Sequence, residues 1–171
     1  MDPSKYFENR TKAIRRLAKS GVNPYPHKFH STILLPEYVE KFSNMEAGEH
    51  DESTSVSIAG RIMAQRRQGS KMVFADLQAD GAKVQIMSQL QHYIGDEETA
   101  RKGKEASEAK FYEIHNTIRR GDIVGVTGFP GKAKSGELSI FPTEIVLLSP
   151  CMHMLPKAYS SLGQDVRYRK R

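Results

Sequence analysis

In Lys71-Met72-Val73-Phe74-Ala75-Asp76-Leu77 the residues Val73, Ala75 and Leu77 form an apolar stripe of period two. Successive side chains of a strand face opposite sides, so Phe74 and Asp76 point away from that stripe. Lys83-Val84-Gln85-Ile86-Met87 repeats the pattern: Val84 and Ile86 are the core stripe, and Gln85 faces out with Met87. In Glu137-Leu138-Ser139-Ile140-Phe141 the stripe is Leu138 and Ile140, which turns Glu137 outward with Ser139. A ring, an amide and a carboxylate (Phe74, Gln85 and Glu137) therefore share one sheet face. Such a set can stack on a base and hydrogen-bond its edge. The plainer alternatives are surface packing for Phe74 and solvated positions for Gln85 and Glu137.

Outward from this centre, Ser55 to Gln65 is a first strand. Its alternation puts Val56, Ile58, Ile62 and Ala64 on one face and Arg61 and Met63 on the other, with Arg67 following the outward parity. Arg66-Arg67-Gln68-Gly69-Ser70-Lys71 is a basic turn, and Ala79-Asp80-Gly81-Ala82 is a hairpin turn. The second strand ends near Leu77 and the third runs from Lys83 to about Ser88. Asp96 to Arg119 is charged, with Phe111, Ile114 and Ile118 at helical spacing, which predicts a helix broken near Gly103 with an exposed first half. Ile123 to Gly128 is a fourth strand, and Leu138 to Leu148 a fifth in which Pro142 marks a bulge or an edge. The basic Pro130 to Gly136 between them fails the phosphate-loop pattern and reads as a hairpin loop.

Before the strands, Asp2-Pro3 is a helix start, with Asp as cap and Pro in the first turn. Tyr6, Phe7, Ala13, Ile14 and Leu17 make the apolar face, Gly21 is the stop, and Arg10, Lys12, Arg15, Arg16 and Lys19 fall on the other faces. That basic side is a solvated face or a phosphate contact. A second short helix spans about Pro36 to Asn44, with Leu35, Tyr38, Val39 and Phe42 together, and Ala47 to Thr54 is a polar linker. His27 and His30 are close in sequence, but Cys151 and His153 make a poor second ligand pair, so no metal site is expected.

The chain has 171 residues, Lys+Arg 26 against Asp+Glu 20, a net charge of +6 and one cysteine, Cys151. The charge suits a polyanionic partner without requiring one. A lone cysteine forms no intrachain disulfide, and neither a signal peptide nor an apolar run of the roughly 18–20 residues of a membrane span is present, so a cytoplasmic location is expected.

Strand–strand–strand–helix–strand–strand is the order of an OB-fold, a five-stranded Greek-key barrel that binds oligonucleotides over strands 2 and 3 and the adjoining loops. The expected class is mainly β with helical additions (α+β). Residues 1–54 are the expected helical extension, 55–149 the barrel and 150–171 a linker toward a further domain.

Several longer words narrow this. Asn23-Pro24-Tyr25-Pro26-His27-Lys28-Phe29, Val84-Gln85-Ile86-Met87, Arg119-Arg120-Gly121-Asp122-Ile123, Lys134-Ser135-Gly136-Glu137-Leu138-Ser139-Ile140 and Ser149-Pro150-Cys151-Met152-His153-Met154-Leu155-Pro156 occur in order along the chain. With Ala59-Gly60-Arg61-Ile62 and Arg167-Tyr168-Arg169 they resemble the anticodon-binding domain of class II lysyl-tRNA synthetases, most closely the eukaryotic cytosolic type. The resemblance implies that Phe74 stacks on the central anticodon uridine while Gln85 and Glu137 read its edge. It implies a helping arginine, best matched by Arg67, with Arg61 and Arg66 as alternatives. It implies lysine-specific tRNA as partner, ATP and magnesium for the full-length enzyme, and no cofactor or catalytic residue in this part. It further implies a homodimer for the full-length protein, a monomer for the fragment and a place in a multi-synthetase assembly. The competing readings are a single-strand-binding OB module without base preference and the equivalent domain of an aspartyl- or asparaginyl-tRNA synthetase.

Overall fold

The computed structural model describes residues 2–156 and 163–169. Two helices, α1 (Pro3–Lys19) and α2 (Leu35–Phe42), precede the strands β1 (Val56–Arg67), β2 (Met72–Ala79) and β3 (Ala82–Gln89). Helices α3 (Glu97–Lys102) and α4 (Lys104–Thr117) follow, then β4 (Ile123–Lys132), β5 (Leu138–Ser149) and α5 (Gln164–Arg169). The five strands close a barrel in the order β1-β2-β3-β5-β4, with β4 returning to β1. Every neighbouring pair is antiparallel except β3 and β5, which run parallel; α3 and α4 lie between β3 and β4 in the chain. The expected OB barrel with helical additions is therefore present.

The alternation that defined the strands fills the barrel. Ile58, Ile62, Leu77, Val84, Ile86, Val124, Val126 and Ile140 are at most 1% exposed. The β2–β3 hairpin turns on Asp80 and Gly81, both with positive φ (50° and 79°). Paired Ala79 and Ala82 flank them, so this is the two-residue turn that matches strand twist. Gly103, at φ 93°, breaks the long helical stretch into α3 and α4. No residue of α3 is buried, whereas α4 buries Phe111 and Ile114.

Four sequence expectations change. First, β1 carries a bulge at Met63, between the pairs Ile62–Leu77 and Ala64–Asp76. Here β1 stops pairing with β4, and the Met63 carbonyl accepts from Arg120 Nε at 3.0 Å instead. One extra residue reverses the parity of everything after it, so Ala64 turns outward and Arg67 lies opposite the buried Val73. Second, β4 runs on through Pro130 to Lys132. Past Gly128 its free edge takes up the 47–54 segment, with Asp51 N donating to Pro130 O (3.0 Å) and Lys132 N to Glu49 O (2.8 Å). That segment is thus an edge cover rather than a free linker.

Third, Arg10 is not on the solvated face of α1. It is 4% exposed and pairs both Nη2 contacts, at 2.8 Å each, with the carboxylate of Asp122, itself 0% exposed. Its remaining donors reach Thr117 O (2.7 Å) and Cys151 O (3.3 Å). Asp122 also accepts from the backbone N–H of Arg119 and Cys151. Burial pushes the Asp122 carboxyl up, against the two N–H groups and the guanidinium that favour its ionised form. Lys12, Arg15, Arg16 and Lys19 remain exposed, and Phe7, assigned to the apolar face, is 42% exposed and stacks on His153 instead. Fourth, outward parity does not expose Ser139: it is 0% exposed, and its carbonyl accepts from Tyr38 OH of α2 at 2.8 Å.

Two glycines explain close approaches. A Cβ at Gly125 would lie 2.5 Å from the ring of Phe29, which seats the Pro-Tyr-Pro-His-Lys-Phe segment on β4. A Cβ at Gly128 would lie 2.0 Å from Phe141 O, where β5 bulges between Glu144 and Pro142, as Pro142 suggested.

His115 of α4 is 2% exposed, with Nε2 at 2.8 Å from Ser88 Oγ and no partner for Nδ1. Burial, aided by the charge of Arg67, lowers it from 6.5 to about 4. The unfolded chain therefore takes up this proton near pH 6.5 and the folded protein only near 4. The associated stability is intact above 6.5 and is lost as the pH falls toward 4, by roughly 3 kcal/mol at about 1.4 kcal/mol per pH unit. Urea titrations across this window should show the decline, and His115→Gln should flatten it. An unchanged slope in the variant would assign the acid sensitivity to other groups.

Candidate nucleic-acid interface

Phe74 (β2), Gln85 (β3) and Glu137, one residue before β5, converge on a cavity of about 270 Å³. Arg66, Asp76 and Lys83 are on its rim. The register explains the convergence. Phe74 pairs with Met87, Asp76 with Gln85, and Gln85 with Ser139, so the outward residues of three strands fall side by side.

Gln85 faces away from the barrel core, as its parity requires, yet it is 5% exposed. Glu137 and Ser139 hydrogen-bond its amide, and beside it lies a second apolar cluster of Met87, Phe129, Ala133 and Phe141, with Phe74 packed at its edge. The Phe129 and Phe141 rings stack at 5.2 Å, and His50 and His92 lie against them. A larger cavity of about 460 Å³ opens between this cluster and the β4–β5 loop, and it shares Arg66, Phe74 and Gln85 with the first.

The polar groups are arranged with little freedom. Gln85 Nε2 donates to Glu137 Oε2 at 2.9 Å. Turning the amide over would set two acceptors face to face, so this contact fixes its nitrogen toward Glu137. Ser139 Oγ lies 3.1 Å from Gln85 Oε1 and 3.0 Å from the Glu137 carbonyl, which closes the buried side. Gln85 thus retains a second Nε2 proton for a ligand. Among the described residues Glu137 Oε1 accepts no hydrogen bond; Lys83 Nζ lies 3.9 Å from it and 3.1 Å from Asp76.

The three arginines separate. Arg66 pairs with Phe74 across the strands, and its guanidinium lies 4.9 Å from the ring centroid. Arg67, the sequence favourite, is turned by the Met63 bulge toward α4, where it donates to His115 O (3.0 Å) and Asn116 Oδ1 (2.7 Å). Arg61 donates to Gly121 O at 2.7 Å and lines a neighbouring hollow with Lys83 and Asp80. The structure therefore joins Phe74, Gln85, Glu137 and Arg66 and leaves Arg61 and Arg67 outside. Sequence reasoning missed Asp76 and Lys83 as rim groups. Their outward parity was available, since Asp76 shares it with Phe74 and Lys83 with Gln85, but alternation says nothing of which charges meet. Among the described residues, no three His, Cys, Asp or Glu side chains converge as a metal site, and no helix is long and apolar enough to cross a membrane.

Comparison with known proteins gives a consistent picture. The tRNA anticodon family of OB-fold nucleic acid binding domains matches residues 56–148. A lysine–tRNA ligase, cla4, of Cladosporium cladosporioides is 41% identical over 97% of this chain and 27% of its own length. The lysine–tRNA ligase of Thermotoga maritima is 35% identical, over 97% of the chain and 30% of that protein. A probable cytoplasmic lysine–tRNA ligase of Encephalitozoon cuniculi is 33% identical, over 97% and 29%. The chain spans less than a third of the length of these curated relatives.

Proposed function

Because this chain belongs to the tRNA anticodon family of OB-fold nucleic acid binding domains, we propose that it reads the anticodon loop of lysine tRNA, with the central uridine in the Phe74 cavity. The observation that carries the reading is the Gln85–Glu137 pair beside the Phe74 ring. Uracil presents one N–H between two carbonyls. The spare Nε2 proton of Gln85 suits a carbonyl, and the unbonded Oε1 of Glu137 suits the N–H. Phe74 supplies the stacking surface, and Arg66, not Arg67, is the arginine beside it. Unstacked loop bases are what sequence-specific RNA readers take.

In this proposal the whole protein is a lysine–tRNA ligase of the cytoplasm, attaching lysine to its tRNA with ATP and magnesium, and this domain supplies tRNA recognition. A helical extension at 1–54, a barrel at 55–149 and a connecting segment at 150–171 are its proposed divisions, and residues 157–162 and 170–171 lie outside the described ones. A homodimer and membership of a larger synthetase assembly belong to the same proposal, as does a monomeric state for the domain alone.

The test is binding of synthetic lysine anticodon stem-loops with the central uridine intact or replaced by cytidine, at one stated salt concentration. The uridine form should bind about 10–100-fold more tightly, the worth of one correctly matched pair of hydrogen bonds. Equal affinity would point to the single-strand binder without base preference. Tighter binding to an aspartate or asparagine stem-loop would point to those enzymes instead.

A further inference from the structure

We infer that Lys83 is a specificity-determining residue that acts through Asp76: it occupies that carboxylate so that the cavity offers a base one anionic acceptor, Glu137, rather than two. The inference rests on the base-reading function proposed above.

Asp76 stands directly across from Gln85 in the β2–β3 register, on the same outward face as Phe74, and it lines the same cavity. Two carboxylates therefore face the place where a base would lie. That is an odd composition for a surface meant for a polyanion, and it selects badly. Uracil has a single N–H on its pairing edge, whereas cytosine, adenine and guanine carry amino groups that a second free carboxylate would welcome. Lys83 resolves this. It lies two residues before Gln85 on the same face of β3, and its long stem brings Nζ to 3.1 Å from Asp76 and 3.9 Å from Glu137. Its ammonium sits closer to Asp76 than to Glu137 Oε1, and Glu137 Oε2 accepts from Gln85.

Stability does not account for the contact. Lys83 is 46% exposed, Asp76 30% and Glu137 45%, and pairs this open to water contribute little to folding. Recognition does account for it. With Lys83 in place, one negative charge is neutralised beside the incoming phosphates and the remaining acceptor is matched to a lone N–H. Without it, Asp76 becomes a second acceptor and a second repulsive charge.

The experiment measures affinities of the central-uridine and central-cytidine stem-loops for the wild type, Lys83→Met, Asp76→Asn and the double variant, with melting curves to confirm folding. Lys83→Met should weaken uridine binding and reduce the uridine-to-cytidine ratio about tenfold, the effect of one unmatched charge-assisted hydrogen bond. Asp76→Asn should keep the ratio, and the double variant should restore it, because the offending carboxylate is gone. If Lys83→Met weakens both RNAs equally, Lys83 is a phosphate contact and the inference is overturned. It is also overturned if the double variant keeps the Lys83→Met ratio, or if Asp76→Asn alone lowers it. A wild type without uridine preference would overturn the base-reading proposal itself, which separates the two failures.

Discussion

Arg10→Ala is expected to destabilise the protein by about 3–5 kcal/mol, the usual cost of leaving a buried charge without its partner. Arg10 is 4% exposed and Asp122 0%. Removing the guanidinium takes two 2.8 Å bonds from the carboxylate and leaves Thr117 O and Cys151 O without their donors. The carboxylate keeps only the N–H groups of Arg119 and Cys151. For a chain of this size the loss corresponds to a melting temperature lower by about 10 °C or more. Urea denaturation measures it directly. Because the pair is shielded from solvent, the loss should be nearly the same at low and high salt. Arg15→Ala, one and a half turns along the exposed face of α1, should change stability by no more than about 0.5 kcal/mol. Arg10→Lys should recover only part of the loss, since an ammonium does not reproduce the two-pronged geometry. If Arg10→Ala and Arg15→Ala cost the same, Arg10 is a surface cation after all. The consequence for function is indirect: the pair fastens α1 to the start of β4 and touches neither Phe74 nor Gln85.

Phe74→Ala is expected to weaken binding of the central-uridine stem-loop by about 1–3 kcal/mol, or roughly 5–150-fold, the worth of one base stacked on an aromatic side chain. The fold should lose only about 1 kcal/mol. Phe74 is half-buried at the edge of the outer cluster, and Arg66 makes a cation–π contact with it at a solvent-facing site. Phe74→Trp should keep binding within a few-fold, because the stacking surface persists. The dependence of affinity on salt should not change, since the ring touches no phosphate. Isothermal titration at matched salt gives the affinity and a thermal melt gives the stability. A loss of several kcal/mol in stability with unaltered affinity would make Phe74 a core residue and remove the stacking platform from the site.

The five strands, their order and the helix break at Gly103 were legible because each is written in a short window. Val73, Ala75 and Leu77 announce a strand by themselves, as Phe111, Ile114 and Ile118 announce a helix face. The outward orientation of Phe74, Gln85 and Glu137 follows from the same local period. Arg66 was not legible as the residue beside Phe74. Nothing in Arg61-Ile62-Met63-Ala64-Gln65-Arg66-Arg67 marks a bulge: no glycine is present, Ala64 suits either face, and the polar residues after it give no stripe to set the register. Arg10 was misread for a related reason. On a helix carrying six cations, spacing alone does not single out the one whose counter-charge lies 112 positions away.

Strand identity, strand order, the helix break at Gly103 and the outward trio were thus determined by the sequence, because alternation and helical spacing are properties of neighbouring covalent positions. The tertiary structure decided which arginine meets Phe74, that Gln85 and Ser139 are buried on the outward face, and that Lys83 sits nearer Asp76 than Glu137. It also decided that Arg10 is a buried ion. Each of these depends on where one element runs out of hydrogen-bonding partners or comes to rest on another. The Met63 bulge forms where β1 parts from β4, and the outer cluster forms where side chains of the β4–β5 hairpin meet Met87 of β3. Such meetings join residues far apart in the chain, and no local period records them.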